Sequence, residues 1–319
     1  MGLLSKSLKI IRNYGLREYV QAVRLYLLDH PIADDIWWHF NRLVRSQPRV
    51  IRNVHGCRML LDISQNGIHK QLFLHGCHEP ECTRIFREML LRDARVVDIG
   101  ANIGYYALIE AQVAQKVYAI EPEPRNLELL RENIKLNSCG NRIEVHELAI
   151  SDTIGKALLH ISGVPNQHRL LASPDVRQAR CIEVATTTLD EFVKDKEVDV
   201  IRMDLEGAEW LVIKGMTEIL RGNKPLLLFI EIHPRLIKDY GGDATMLLEI
   251  LLESGFKLRH LAAVLPPPSF PIRQYIKAHT PSREQAIECH APLGNPLLDK
   301  YLRHIIMEKS VFYRVFMER

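Results

Sequence analysis

The sequence predicts an α/β protein built on a doubly wound, mostly parallel sheet of seven strands, with helices on both faces. Three observations carry this expectation. From residue 95 onward, short apolar runs alternate with amphipathic helical stretches, the pattern of a parallel sheet with crossover helices. The first run passes into a glycine turn, Asp98-Ile99-Gly100-Ala101-Asn102-Ile103-Gly104, which opens a helix. Successive runs end in acids, Asp98, Glu121, Asp204 and Glu231, at the carboxyl ends where such sheets bind ligands.

The elements follow in order. Strand 95–99 leads to helix 103–114, and strand 116–121 to helix 124–137, which Pro122 and Pro124 help to start. Strand 143–148 follows, then two β-rich pieces, 157–161 and 181–185, around a polar loop. Thr186-Thr187-Thr188-Leu189-Asp190-Glu191 starts a short helix with a capping pattern. Strand 198–204, helix 208–221 ending at Gly222, and strand 225–232 come next. Helix 243–254 stops at Gly255, and strands 256–263 and 311–316 close the sheet. The Pro-rich segment 265–296 reads as a long loop. Residues 95–319 are thus expected to form the main domain.

Two segments precede it. Residues 1–50 read as an N-terminal helical extension. Leu4, Leu8, Ile10 and Ile11 recur near helical spacing among Lys6, Lys9, Arg12 and Arg17, and Asp34 or Asp35 caps a helix containing Trp37, Trp38, Phe40 and Leu43. A helical lid or oligomer contact is favoured over a peripheral membrane helix, since cations on a solvated face are common. Residues 51–94 read as accessory strands and a helix, with Gly76-Cys77-His78-Glu79-Pro80 before the helix.

Composition excludes several classes. A hydrophobic share of 47% and a charged share of 25% are those of a globular domain, and a net charge of +3 gives no electrostatic case for nucleic acid. No apolar run approaches the ~18 residues that span a bilayer. The first residues lack a continuous apolar core and a small-residue cleavage site, so no signal peptide is expected. The six cysteines are scattered without a C-x-x-C pair, which fits reduced thiols and a cytoplasmic location. Cys77, His78 and Cys82 match no zinc spacing.

The strand ends supply the chemistry. Asp98 is expected to fix the glycine turn or to meet a cationic ligand group. Glu121, one helix later, is placed to accept from ribose hydroxyls. Asp204 and Glu206 lie on the fourth core strand, beside the first across the topological switch, and should face the reactive end of the ligand. His233, next to Glu231, is the expected proton acceptor. The turn reads D-x-G-x-x-x-G and not G-x-G-x-x-G. A pyrophosphate would meet Asp98 and Asn102 there, which argues against an NAD-linked oxidoreductase. A non-catalytic binding protein would have no physical need for clustered acids.

These residues resemble motif I of class I S-adenosylmethionine-dependent methyltransferases. More narrowly, the chain is similar to the FkbM methyltransferase family. The supporting stretches are His78-Glu79-Pro80, Tyr118-Ala119-Ile120-Glu121-Pro122, Ala149-Ile150-Ser151-Asp152 with Gly155, Thr187-Thr188-Leu189-Asp190, Asp204-Leu205-Glu206-Gly207-Ala208-Glu209 and Glu231-Ile232-His233. The resemblance spans about residues 55–260. It implies a Rossmann-like methyltransferase sheet and methyl transfer from S-adenosylmethionine to a hydroxyl of a sugar, glycolipid or polyketide-type acceptor. It places Asp98, Gly100, Asn102 and Gly104 around the methionine part, Glu121 on the ribose, and Leu148, Ala149, Ser151 and Asp152 near the adenine. Asp204, Glu206, Glu231 and His233 fall on the acceptor side. A divalent metal on Asp204, Glu206 and Glu231 is an alternative to the histidine base. Nucleic acid is not expected as a partner, because no N/D-P-P-Y-like motif and no basic stripe with interleaved aromatics appear.

Overall fold

The computed structural model describes residues 31–162, 168–171, 180–264, 284–288 and 313–319. The helices expected within residues 1–30, and most of the Pro-rich segment 265–296, lie outside the described residues. The chain opens with α1 (Pro31–Val44), β1 (Arg49–Val54), β2 (Cys57–Asp62), α2 (Ile68–His75) and α3 (Pro80–Met89). Then come β3 (Arg95–Ile99), α4 (Tyr105–Glu110), β4 (Lys116–Ile120), α5 (Pro124–Leu136), β5 (Ile143–His146) and β6 (Ala149–Ile150). The middle holds β7 (Gly155–His160), β8 (Arg169–Leu170), β9 (Cys181–Thr187), α6 (Leu189–Val193) and β10 (Val200–Met203). The rest is α7 (Glu209–Lys214), α8 (Thr217–Arg221), β11 (Leu227–Ile232), α9 (Ala244–Glu253), β12 (Lys257–Val264), β13 (Glu284–Glu288) and β14 (Tyr313–Glu318).

The main sheet has the order β13-β12-β14-β11-β10-β3-β4-β5. Strands β11, β10, β3, β4 and β5 pair in parallel. The last strand, β14, inserts antiparallel between β11 and β12. These are the seven expected strands. The eighth, β13, pairs antiparallel with the edge strand β12 inside the segment expected as a loop. The chain runs from β3 outward to β5 and returns through β10 to the other side of β3. The topological switch therefore falls between β3 and β10.

Strand alternation sorts the core into two layers. Val97 and Ile99 of β3, Ile201 and Met203 of β10, and Ile230 of β11 pack against the α6–α9 face. Val96, Val200, Phe229 and Phe316 pack on the opposite face, with α3, α4, α5 and the β1–β2 hairpin. The hairpin is tied to α5 by Asn133, whose Oδ1 accepts from Leu60 N at 2.6 Å, and by Asn137, whose Oδ1 accepts from Arg58 N at 2.8 Å. Trp38 of α1 is buried in the same layer, while Trp37 and Phe40 stack on its exposed side. A second sheet, β6-β9-β7-β8, contains the two β-rich pieces predicted around the polar loop.

One expected helix is divided. Residues 208–221 form α7 and α8, broken at Gly215 and Met216. A Cβ at Gly215 would collide with the Ser151 carbonyl oxygen, and the Gly215 carbonyl accepts from Asp190 N at 3.0 Å. The break is where the chain passes close beneath the start of the second sheet.

Candidate active site

The turn after β3 is shaped by three residues with positive φ. Gly100 (83°) lies so close to the end of β10 that a Cβ would meet the Asp204 carbonyl oxygen. Gly104 (91°) starts α4 against Leu130, where a Cβ would come within 2.7 Å. Asn102 (52°) takes the same conformation without glycine's freedom, as Asn does more readily than most residues. Its Oδ1 accepts from Ile103 N at 2.8 Å, and its own N–H donates to Glu121 Oε2 at 2.8 Å. Glu121 also accepts from Glu123 N at 2.9 Å. Burial pushes its carboxyl up to about 7, against the lowering effect of those N–H donors.

A cleft with an empty volume of about 900 Å³, open to solvent, lies above this turn. Gly100, Asn102, Glu121, Leu148 and Ala149 line it together with Asp204 and Glu206. Leu159 and Leu170 of the second sheet, and His168 just before β8, also line it. Several predicted residues sit behind this lining. Gly104 faces Leu130. Ser151 is buried, and Asp152 pairs with Lys214. Asp98 is fully buried, and its cationic partner is Arg202, at 2.8 Å. Of the two readings of Asp98, an internal clamp on the turn is the one its contacts match.

Arg202 begins a charged row across one face of the sheet. It stands in register opposite Asp98, 3.5 Å from Asp204 Oδ2, with its guanidinium 3.8 Å over the Tyr106 ring. Farther along, Arg314 of β14 is in register with Glu231 of β11 and donates to Glu231 Oε2 from Nε at 3.0 Å. Arg314 also pairs with Glu79, at the N-terminus of α3, and Glu79 accepts from the Tyr106 hydroxyl at 3.2 Å. His78-Glu79-Pro80 therefore joins the accessory segment to the strand-end acids. Sequence reasoning missed Arg202, Arg314 and Glu209 as partners. The available signal was a lone arginine inside each apolar strand, Val200-Ile201-Arg202-Met203 and Tyr313-Arg314-Val315-Phe316, since a buried charge requires a partner.

His233 sits among three acids. Its Nδ1 is 2.8 Å from Glu209 Oε1, and its Nε2 is 3.5 Å from Glu231 and 3.6 Å from Glu206. Burial works against its charge, but Glu209, Glu231 and Glu206 together lift its pKa to about 10. The acids around it favour the protonated ring, so acting as the proton acceptor expected next to Glu231 would require His233 to lose its proton first. Glu209 Oε1 also accepts from Leu205 N at 3.2 Å and Gly207 N at 3.1 Å, which braces the turn presenting Glu206. Glu206 is pushed up to about 7, first by burial. Asp204, Glu206, Glu231 and His233 are thus brought together, with Asp204 and Glu206 alone of the four on the cleft wall.

Residues 98–258 match the family model of the methyltransferase FkbM domain, half of the chain. The chain belongs to the FkbM methyltransferase family. Among its relatives, the hexuronic acid methyltransferase AglP of Haloferax volcanii is 28% identical over 158 residues, covering 49% of this chain and 62% of that protein. The match thus spans less than two thirds of AglP. The tRNA (guanine(37)-N(1))-methyltransferase Trm5b of Methanocaldococcus jannaschii is 36% identical over 93 residues, covering 29% of this chain and 25% of that protein. The crystal structure of the FkbM methyltransferase of Methylobacillus flagellatus aligns with 70% of this chain and 55% of its own, at 19% identity and a TM-score of 0.41. In this FkbM protein no helix among the described residues is long and apolar enough to cross a membrane.

Proposed function

We propose that this FkbM protein transfers the methyl group of S-adenosylmethionine to a hydroxyl oxygen of a sugar, glycolipid or polyketide-type acceptor. One observation carries the reading: the Gly100 turn, Glu121, Asp204 and Glu206 line a single cleft. Gly100 and Asn102 lie against the methionyl part, Glu121 accepts from the ribose, and Leu148 and Ala149 flank the adenine. Gly104, Asp98, Ser151 and Asp152 support that wall from behind. The acceptor hydroxyl approaches from the side of Asp204 and Glu206, in line with the sulfur–methyl bond. As the carbon–oxygen bond forms, the carbon–sulfur bond breaks, the sulfonium leaves as a neutral thioether, and the hydroxyl proton passes to a strand-end carboxylate.

A pyrophosphate fits the cleft poorly, because Glu121, Asp204 and Glu206 would all face it. The name of AglP, which specifies hexuronic acid, supports a sugar-type acceptor. We take residues 95–319 as the catalytic unit, 51–94 as an accessory piece and 1–50 as an extension. A cytoplasmic location and the absence of a nucleic-acid partner complete the reading. Methyl-labelled S-adenosylmethionine, offered with pools of glycolipid, polysaccharide and small-molecule acceptors, tests it. The expected product is an O-methylated acceptor, whereas label on RNA or on nitrogen alone would count against the reading.

A further inference from the structure

Behind the wall formed by Asp204 and Glu206, three potential ligands converge from two strand ends. One donor atom each of Asp204, Glu231 and His233 lies within 4.8 Å of the other two. Donors around a single ion with ~2.1 Å bonds stand roughly 3–4 Å apart, so a small side-chain movement closes this set. We propose that these three residues bind a divalent cation of the Mn²⁺ class on the acceptor side of the cleft. The inference rests on reading that cleft as the site of methyl transfer.

The arrangement behind each ligand supports it. Glu231 is held through one oxygen, Oε2, by Arg314 Nε at 3.0 Å and Nη2 at 2.9 Å, which directs Oε1 toward His233 Nε2 at 3.5 Å. His233 is held through Nδ1 by Glu209 at 2.8 Å, which turns Nε2 toward the carboxylates, and Nε2 releases its proton to solvent as the ion binds. Asp204 has Oδ2 at 3.5 Å from Arg202 Nη2. Glu209, Arg202 and Arg314 are themselves buried. Partners that fix one atom of a ligand and leave another to point at a common centre are the outer-shell pattern of metal sites, including the carboxylate–histidine–metal relay.

Charge points the same way. Glu206 and Glu209 add two more carboxylates around His233, while each nearby guanidinium is shared between two acids: Arg202 between Asp98 and Asp204, Arg314 between Glu79 and Glu231. Among the described residues, acidic side chains outnumber basic ones in this largely desolvated place, and a divalent ion would offset those that ionise. One imidazole nitrogen and two carboxylates suit Mn²⁺, Fe²⁺ or Zn²⁺ better than Ca²⁺. Three protein ligands leave coordination positions open, and Asp204, which also lines the cleft, is the ligand through which the site meets it.

The test uses the full chain, stripped with chelator and titrated with Mn²⁺ by calorimetry and electron paramagnetic resonance. One Mn²⁺ per chain is expected, with imidazole-nitrogen coupling in the pulsed spectrum. Asp204→Asn and His233→Gln should each weaken binding at least ~10-fold (about 1.4 kcal/mol), and Lys156→Ala should leave it unchanged. Absence of Mn²⁺ binding, binding indifferent to both substitutions, or a spectrum without nitrogen coupling overturns the site. If the two variants do not fold, the wild-type spectrum decides alone. S-adenosylhomocysteine is titrated in parallel. Its binding without Mn²⁺ removes the cation site only, and Mn²⁺ binding without it removes the donor reading of the cleft.

Discussion

Asp98 and Arg202 stand opposite each other on adjacent parallel strands and share a buried ion pair at 2.8 Å, directly beneath the glycine turn. Asp98 has no exposure, and Arg202 has 8%. The pair locks the turn after β3 to the end of β10, two segments that both line the cleft. Removing one member leaves the other charged and dry. Arg202→Met is expected to cost about 3–5 kcal/mol in urea unfolding. The double variant Asp98→Asn with Arg202→Met should lose less than the sum of the single losses. Additive losses would mean that the two side chains act independently.

Gly100→Ala tests the close approach. The residue holds φ at 83°, where a Cβ costs roughly 1–2 kcal/mol, and its Cβ would also push on the Asp204 carbonyl. Affinity for S-adenosylhomocysteine should fall at least ~10-fold in calorimetry. Unchanged affinity would remove the turn from the donor site.

Glu121 sets a pH dependence. Its carboxyl is raised to about 7 by burial. Raised above its unfolded value, it contributes stability fully below about 4.5, and this is lost as the pH climbs through about 7. Donor binding runs the opposite way, since ribose hydroxyls donate to the ionised form. Affinity for S-adenosylhomocysteine should therefore rise between pH 6 and 8, roughly, with proton release on binding. Glu121→Gln should flatten this profile and weaken binding. A profile unchanged by the substitution would place the titration elsewhere.

Tyr105 links the accessory segment to α4. Its buried hydroxyl donates to the His78 carbonyl at 2.9 Å and lies 3.0 Å from both Thr83 Oγ1 and His55 Nε2. Tyr105→Phe removes this hub and should destabilise by about 1–3 kcal/mol, with the urea m-value unchanged. A midpoint equal to wild type would show that His78 is held by the chain around it.

Much of the fold was legible because the signals are local. A parallel strand buried on both faces reads as an apolar run, as in Val96-Val97 or Leu227-Leu228-Phe229-Ile230, and the acid at its end marks where the strand stops. The same logic led from Asp98, Glu121, Asp204 and Glu231 to one crevice. What was not legible depends on distant partners. Asp98 and Arg202 are 104 residues apart, and Glu231 and Arg314 are 83 apart. Spacing alone did not reveal that Asp98 turns inward to an arginine and not outward to a ligand. His233 read as a base because Glu231 was its visible neighbour. The fully buried Glu209, 24 residues away, holds its Nδ1 and favours the protonated ring. The division of helix 208–221 likewise follows from the approach of Ser151 to Gly215 and leaves no periodicity to read.

The most direct measurement is calorimetric titration of the full chain with S-adenosylhomocysteine, with NAD as comparison and Glu121→Ala as the matched variant. Binding of one S-adenosylhomocysteine per chain, weakened at least ~10-fold by Glu121→Ala, with no heat from NAD, is the predicted result. Binding of NAD in place of S-adenosylhomocysteine, or binding of the latter that is indifferent to Glu121, would contradict the assignment of this cleft to the methyl donor.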